Sequence, residues 1–489
     1  MLNPHRVIKF WARKDLSIID QYIPSGTNSL LDPFCGSGTS GIVGVLRGIR
    51  YIVLSDINPV AIFISSVLLN KYLLNDQVYH RLLAICAEVE KKYYTISING
   101  HKLTVSKVAW VTKFSCPKCG SLVDPRYDRD GKKRLVCPKC HKRFYPHQAD
   151  YYVEEPFEIY AKENKKIKIF KDNEILESWK FMEESIKPEF WYPNGKFEYP
   201  NGKKFLQHPH RINEVPKLFY KRGLSAASEL YAHIEDEWMK DPIQGDFLKL
   251  AFISAIFAAT KMLPYSKTSG PSWKIHRYWI PHIRFERNFC DTFQNKLHTL
   301  INFKESIKEY VKNYDFRTIY STTEDVPLIN FLRRTLFIIR TDAKKLDLPY
   351  KFDTIIMDLP HFDEINYFEL TYVWQLWLEG RLRDRRFTDY SYWKNEIVIN
   401  PKIGKGINEY LNDLEEVFSK YSSMLNTNGR LVLILHHRKH TYVQRIVTRL
   451  RNNTRKIELI KQSISTPSSM KGILRKKNSF IYILLLHNN

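Results

Sequence analysis

Short apolar runs alternate with helical periodicities at both ends of the chain, and a long middle segment breaks the alternation. Near the N-terminus, Ser29-Leu30-Leu31 reads as a short strand, and a helix runs through Ile42, Val43, Val45 and Leu46 to a stop at Gly48. Tyr51-Ile52-Val53-Leu54 is then a buried strand closing on Ser55-Asp56. Strand, helix and strand at this spacing make a βαβ unit of a parallel sheet with a right-handed crossover. A helix over about 59–74 follows. The same character returns with strands at Leu336–Ile339 and Phe352–Met357, a helix near 415–425, a strand at 431–435, a helix at 442–451 and a strand at 479–486.

The middle segment differs. Residues 111–147 carry four cysteines among Lys and Arg, and residues 150–212 are charged and aromatic. The near-repeat Tyr192-Pro-Asn-Gly-Lys196 and Tyr199-Pro-Asn-Gly-Lys203 predicts tight turns in a small β element. Residues 216–262 turn helical, with Leu224, Ala227, Tyr231, Ile234 and Trp238 on one face, and another helix is expected over 289–314. The expected fold class is therefore α/β, one Rossmann-like sheet interrupted by a large insertion.

At 489 residues, with 44% hydrophobic positions, the chain can bury several cores. The sign of its charge adds more: 76 Lys+Arg against 52 Asp+Glu leave +24, which favours a polyanionic partner, most simply nucleic acid. The longest apolar runs, Leu250–Thr260 and Phe480–Leu486, fall short of the roughly 20 residues that cross a bilayer and predict a buried helix and a strand. The charged N-terminal residues lack a signal-peptide pattern, and seven cysteines with four in two CPKC pairs suit a reducing compartment, so a cytoplasmic protein is expected.

Two patterns carry chemistry. Cys116-Pro-Lys-Cys119, 17 residues, then Cys137-Pro-Lys-Cys140 presents four thiolates from two tight turns, the donor set of a closed, structural Zn²⁺ site. A redox role for the two pairs lacks a thioredoxin-like context. The basic residues around it, among them Lys113, Lys118, Arg126, Arg129, Arg134, Lys139, Lys142 and Arg143, could meet phosphates. The second pattern is the turn Asp32-Pro33-Phe34-Cys35-Gly36-Ser37-Gly38-Thr39 with Asp56 at the next strand end, 24 residues after Asp32. Glycines at 36 and 38 allow a sharp turn and close ligand approach, and an acid at 56 can accept both hydroxyls of a ribose.

With Asp56-Ile57-Asn58-Pro59, that turn resembles the S-adenosylmethionine pocket of amino-directed DNA methyltransferases. The resemblance implies that Asp32, Pro33, Phe34, Gly36, Gly38 and Thr39 surround the methionine part of the cofactor. It implies that Asp56 takes the ribose, that Ile57 packs on the adenine with Asn58 beside it, and that Asp342-Ala343 meets the adenine amino group. The family's catalytic [DNS]-P-P-[YFW] turn matches Asp358-Leu359-Pro360-His361-Phe362, with Leu359 in place of the first proline and His361 in place of the aromatic. In this family a side-chain oxygen and a main-chain carbonyl accept the amino hydrogens of the target base, which is flipped out of the duplex. Leu218–Leu224, Arg277–Pro281, Glu286–Asn288 and the aromatic segment 362–378 are similar to zinc-ribbon-containing adenine-specific DNA methylases. Arg13 or Lys14 could meet the cofactor carboxylate.

The resemblance thus implies a class I methyltransferase sheet in residues 1–100 and 326–489, a zinc ribbon in 101–150, and a mainly helical target-recognition region in 151–325. The implied activity is adenine N6 methylation of DNA. Cytosine N4, an RNA substrate, a restriction partner, and a non-catalytic nucleic-acid-binding protein with a degenerate DLPH site remain alternatives.

Overall fold

In the computed structural model, residues 4–11, 13–98, 100–131, 134–163, 166–206, 212–266, 278–320, 333–359, 365–436, 440–451, 457–463 and 480–487 are described. The chain forms two compact units. The first comprises Met1–Leu73, Ile301–Gln375 and Arg383–Asn489, and the second Leu74–Leu300 with Leu376–Leu382.

The first unit is mixed α/β. Its sheet has eight strands: β1 (Ser29–Asp32), β2 (Tyr51–Asp56), β3 (Tyr314–Ile319), β4 (Arg334–Arg340), β5 (Phe352–Asp358), β6 (Leu425–His436), β7 (Ile457–Ser463) and β8 (Phe480–His487). They lie in the order β3-β4-β2-β1-β5-β6-β8-β7. Every pairing from β3 to β6 is parallel, and β8 runs antiparallel to both of its neighbours. A parallel sheet is covered on both faces, so its strands are apolar without alternation. Accordingly Leu30, Leu31, Ile52, Val53, Leu54, Ile355, Ile356, Leu431 and Leu433 are all buried.

Helix α1 (Thr39–Leu46) follows β1, and α2 (Pro59–Leu69) follows β2. At Gly41 a Cβ would stand 2.5 Å from Leu54 Cδ1 and 2.8 Å from Leu69 Cδ1, so a larger residue would have to push aside these buried leucines between α1 and the sheet. Lys304 is buried beneath α2 and donates to the Val67 carbonyl at 3.0 Å and to Asn70 Oδ1 at 2.8 Å, capping that helix.

The second unit holds a seven-stranded antiparallel sheet and several helices. The strand His101–Ser115 is its spine, and strands Tyr152–Glu163 and Lys166–Phe170 extend it. Tyr152–Glu163 and Lys166–Phe170 are thus strands inside the segment expected to be mainly helical: the first gains its order by pairing with the distant His101–Ser115, the second by pairing with the first. Helices Asn173–Ser185, Lys221–Lys240 and Pro242–Ala255 supply the helical part. The ribbon is also shorter than 101–150, since residues 101–115 belong to the larger sheet. The units divide at 73/74 and 300/301 rather than near 100 and 325. Helix Asp76–Tyr93 packs on Lys221–Lys240, whereas β3 pairs along its whole length with β4. The window Pro242–Ala259 is long and apolar enough to cross a bilayer, yet 72% of it is buried, which fits a core helix.

The segments Leu218–Leu224 and Glu286–Asn288 meet inside the second unit as a buried ion network. Arg222 Nε lies 3.5 Å from Glu286 Oε1 and 3.8 Å from Glu183 Oε2, with its guanidinium over the Trp179 ring. Glu286 Oε2 accepts from the indoles of Trp110 at 2.9 Å and Trp179 at 3.3 Å. Asn288 donates to Glu90 at 2.7 Å and accepts the Cys290 amide at 3.0 Å. These motif residues hold the unit together. Arg277 lies outside the described residues.

Candidate functional site

Four carboxylates stand at the carboxyl ends of four adjacent parallel strands: Asp342 just beyond β4, Asp56 on β2, Asp32 on β1 and Asp358 on β5. Between β1 and β5 the strand order reverses direction, the place where an open α/β sheet leaves a crevice for a ligand. All four line one cleft of about 890 Å³, mouth included, with Phe10, Trp11, Arg13, Pro33, Phe34, Gly36, Thr39, Ile57, Asn58, Ala343, Tyr367 and Glu396.

Local chemistry shapes the turn after β1. Gly36 and Gly38 have φ of 52° and 80°, a left-handed pair that swings the chain from strand to helix, with Gly38 as the N-cap of α1. Asp32 Oδ1 accepts the Phe34 amide at 2.9 Å, and its other oxygen accepts the Ser40 hydroxyl. Asp56 Oδ2 accepts the Gly36 amide and Oδ1 the Asn58 amide, both at 2.9 Å. Asn58 in turn caps α2 by accepting the Val60 amide at 2.9 Å and donates to Thr371 Oγ1 at 2.9 Å.

Burial and mutual repulsion load this site. Burial pushes Asp32 up to about 7, against the hydrogen bonds from Ser40 and Phe34, and Asp358 and Asp56 push the same way. Burial pushes Asp56 up to about 6 against its amide donors. Asp358 is raised by burial and held back by Lys14. Clustered carboxyls of raised pKa in a cleft make it a candidate ligand site on physical grounds.

The N-terminal segment lies along the same cleft. Phe10 stacks on Tyr367 with ring centroids 5.6 Å apart. Arg13 donates to Ser37 Oγ at 2.5 Å and to the Ser37 carbonyl at 3.1 Å. Lys14 pairs with Asp358 Oδ1 at 2.7 Å.

Of the residues expected at the site, Asp32, Pro33, Phe34, Gly36, Thr39, Asp56, Ile57, Asn58, Asp342, Ala343 and Asp358 line the cleft, and Gly38 shapes it from behind. Leu359 is buried just past β5. Pro360, His361 and Phe362 lie outside the described residues. Glu396 escaped sequence reasoning: it accepts the Phe368 amide at 2.8 Å, and burial pushes it up to about 8. Its segment, Asn395-Glu396-Ile397-Val398, matches no motif, and only the fold brings it to the cleft.

The second unit carries the cysteines. The four sulfurs lie within 4.8 Å of one another, with Cys116–Cys140 at 3.6 Å and Cys119–Cys137 at 3.5 Å, so the cluster could hold a metal ion. Four thiolates at about 2.3 Å from a tetrahedral Zn²⁺ would stand roughly 3.8 Å apart, so the donor set fits zinc. The two turns match: Gly120 donates to the Cys116 carbonyl and His141 to the Cys137 carbonyl, each at 2.9 Å, and both residues are left-handed. Phe114, Val123, Leu135 and Phe144 pack with the buried Cys116 and Cys137, and Ala149 lies against them.

No known family model matches the chain, and no curated protein matches it.

Proposed function

We propose that this protein is an S-adenosylmethionine-dependent methyltransferase acting on an exocyclic amino group of DNA, adenine N6 first. The observation that carries the reading is the row of carboxylates at 342, 56, 32 and 358 along one cleft. The strand order supports it as well, because one antiparallel strand inserted before the last parallel strand is the arrangement of class I methyltransferase sheets.

The residues fit this cofactor. The two oxygens of Asp56 offer about four acceptor sites between them; the Gly36 and Asn58 amides take two and the Ile57 amide lies close by, which leaves room for a ribose hydroxyl. Phe34, Ile57 and Ala343 offer apolar surface to an adenine, and Asp342 an acceptor for its amino group. Bound there, the cofactor would supply an electrophilic methyl group.

The chain's own part is positioning and charge. An exocyclic amine is a poor nucleophile because its lone pair is delocalised into the ring. Asp358 would accept one amino hydrogen and the Leu359 carbonyl a second, which localises the lone pair and takes up positive charge as the new bond forms. Any residue supplies a carbonyl, so leucine at 359 keeps this function. The net charge of +24 and the basic cysteine module supply phosphate affinity for a nucleic-acid substrate. The metal would hold that module's fold and take no part in transfer.

Incubating the protein with methyl-labelled S-adenosylmethionine and DNA, then resolving the nucleosides, tests the reading. Labelled N6-methyladenine is expected. N4-methylcytosine would move the target base, label in RNA alone would move the substrate, and no product with any nucleic acid would leave a binding protein.

A further inference from the structure

The chain's first described residues place two consecutive cations on the two halves of the cleft. Arg13 is spent on the turn after β1, through Ser37 and the Ile8 carbonyl. Lys14 reaches the end of β5 and donates to Asp358 Oδ1 at 2.7 Å. Its side chain is only 7% exposed and that of Asp358 22%. Asp358 Oδ2 accepts no hydrogen bond from the described residues. A buried ammonium on one oxygen of Asp358 is a specific arrangement, because an arginine fork would cover both.

We propose that Lys14 is a positioning residue for the transfer reaction: it holds Asp358 ionised and fixed through Oδ1, leaving Oδ2 for the amino group of the target base. This rests on the methyltransferase reading of the cleft. The surroundings show why such a residue is needed. Asp358 faces Asp32 on β1, Asp56 on β2, and Tyr367 at the start of the helix Tyr367–Glu379, while Glu396 lines the same cleft. Apart from Arg13 and Lys14, the titratable groups named here are all acids or a phenol. Burial favours a proton on the Asp358 carboxyl, and the Lys14 ammonium opposes it. A protonated Asp358 could present a donor where the substrate amine needs an acceptor. A single ammonium on Oδ1 supplies the charge and keeps the second oxygen open.

The test is the pH dependence of kcat/KM for methyl transfer to DNA by the full-length protein, Lys14→Met and Lys14→Arg. Loss of the ammonium should raise the pH at which Asp358 ionises. The acidic limb of Lys14→Met should therefore move up by one pH unit or more, about tenfold less activity on that limb and recovery at high pH. Lys14→Arg keeps the charge, so its acidic limb stays with the wild type, while its fork over both oxygens lowers the plateau. If Lys14→Met does not fold, Lys14→Gln is read in its place. A uniform loss with an unmoved acidic limb makes Lys14 merely structural and overturns the proposal. Higher activity at every pH would make it a competitor of the substrate, and overturns it too. Failure of the wild type to transfer methyl groups rejects the underlying reading instead, so the two failures are distinct.

Discussion

Asp56 Oδ2 accepts the amide of Gly36 at 2.9 Å, so the end of β2 holds the turn that follows β1. One carboxylate thereby shapes the glycine turn while keeping lone pairs for a ligand, and the two motifs separated in sequence become one site.

If Asp56 takes a ribose diol, Asp56→Ala should weaken S-adenosylmethionine binding by about 10- to 100-fold, the size of one or two lost hydrogen bonds to a charged group. Asp358→Ala should leave binding nearly intact and abolish transfer. Titration calorimetry with both variants checks this; equal losses of affinity would contradict the division of roles.

The raised carboxyls fix the sign of a pH effect. With Asp32 pushed to about 7 and Asp56 to about 6, the folded protein holds protons that the unfolded chain, with ordinary values near 4, has released. Their contribution to stability therefore falls as pH rises from about 4 to 7. Tm of the ligand-free protein should drop over that window, and Asp32→Asn should flatten the slope. An identical slope in the variant would show that Asp32 titrates normally.

The cysteine module buries few apolar residues, so with zinc on its four thiolates its fold should depend on the metal. The purified protein should carry about one zinc per chain, and Cys137→Ser should lose it and expose the segment 116–144 to protease. Metal-free protein with the segment still protected would reject the zinc site.

Arg222 is fully buried between Glu183 and Glu286, so Arg222→Ala leaves uncompensated charge and should cost about 3–5 kcal/mol. Denaturant unfolding measures the loss. A cost below about 1 kcal/mol would mean that the network is not structural.

The βαβ unit and the glycine turn were legible because their signals are local: apolar runs, Gly36 and Gly38 between them, and Asp56 at a fixed distance. The cysteine cluster was legible for the same reason, its ligands sitting in two four-residue turns. Glu396 and the Lys14–Asp358 pair were not, because their meaning arises only when segments hundreds of residues apart are folded together. Residues 152–170 hid their strands for a related reason. The exposed edge run Lys166-Ile-Lys-Ile-Phe170 owes its β-structure to pairing with Tyr152–Glu163, which in turn pairs with the distant strand His101–Ser115.

The proposed function places S-adenosylmethionine in the cleft with its reactive end toward Asp358. A crystal structure of the protein with S-adenosylmethionine is the decisive measurement. The ribose hydroxyls are expected on Asp56 and the sulfonium methyl directed at the Asp358 carboxylate. Cofactor bound elsewhere, or a methyl group turned away from Asp358, would contradict it.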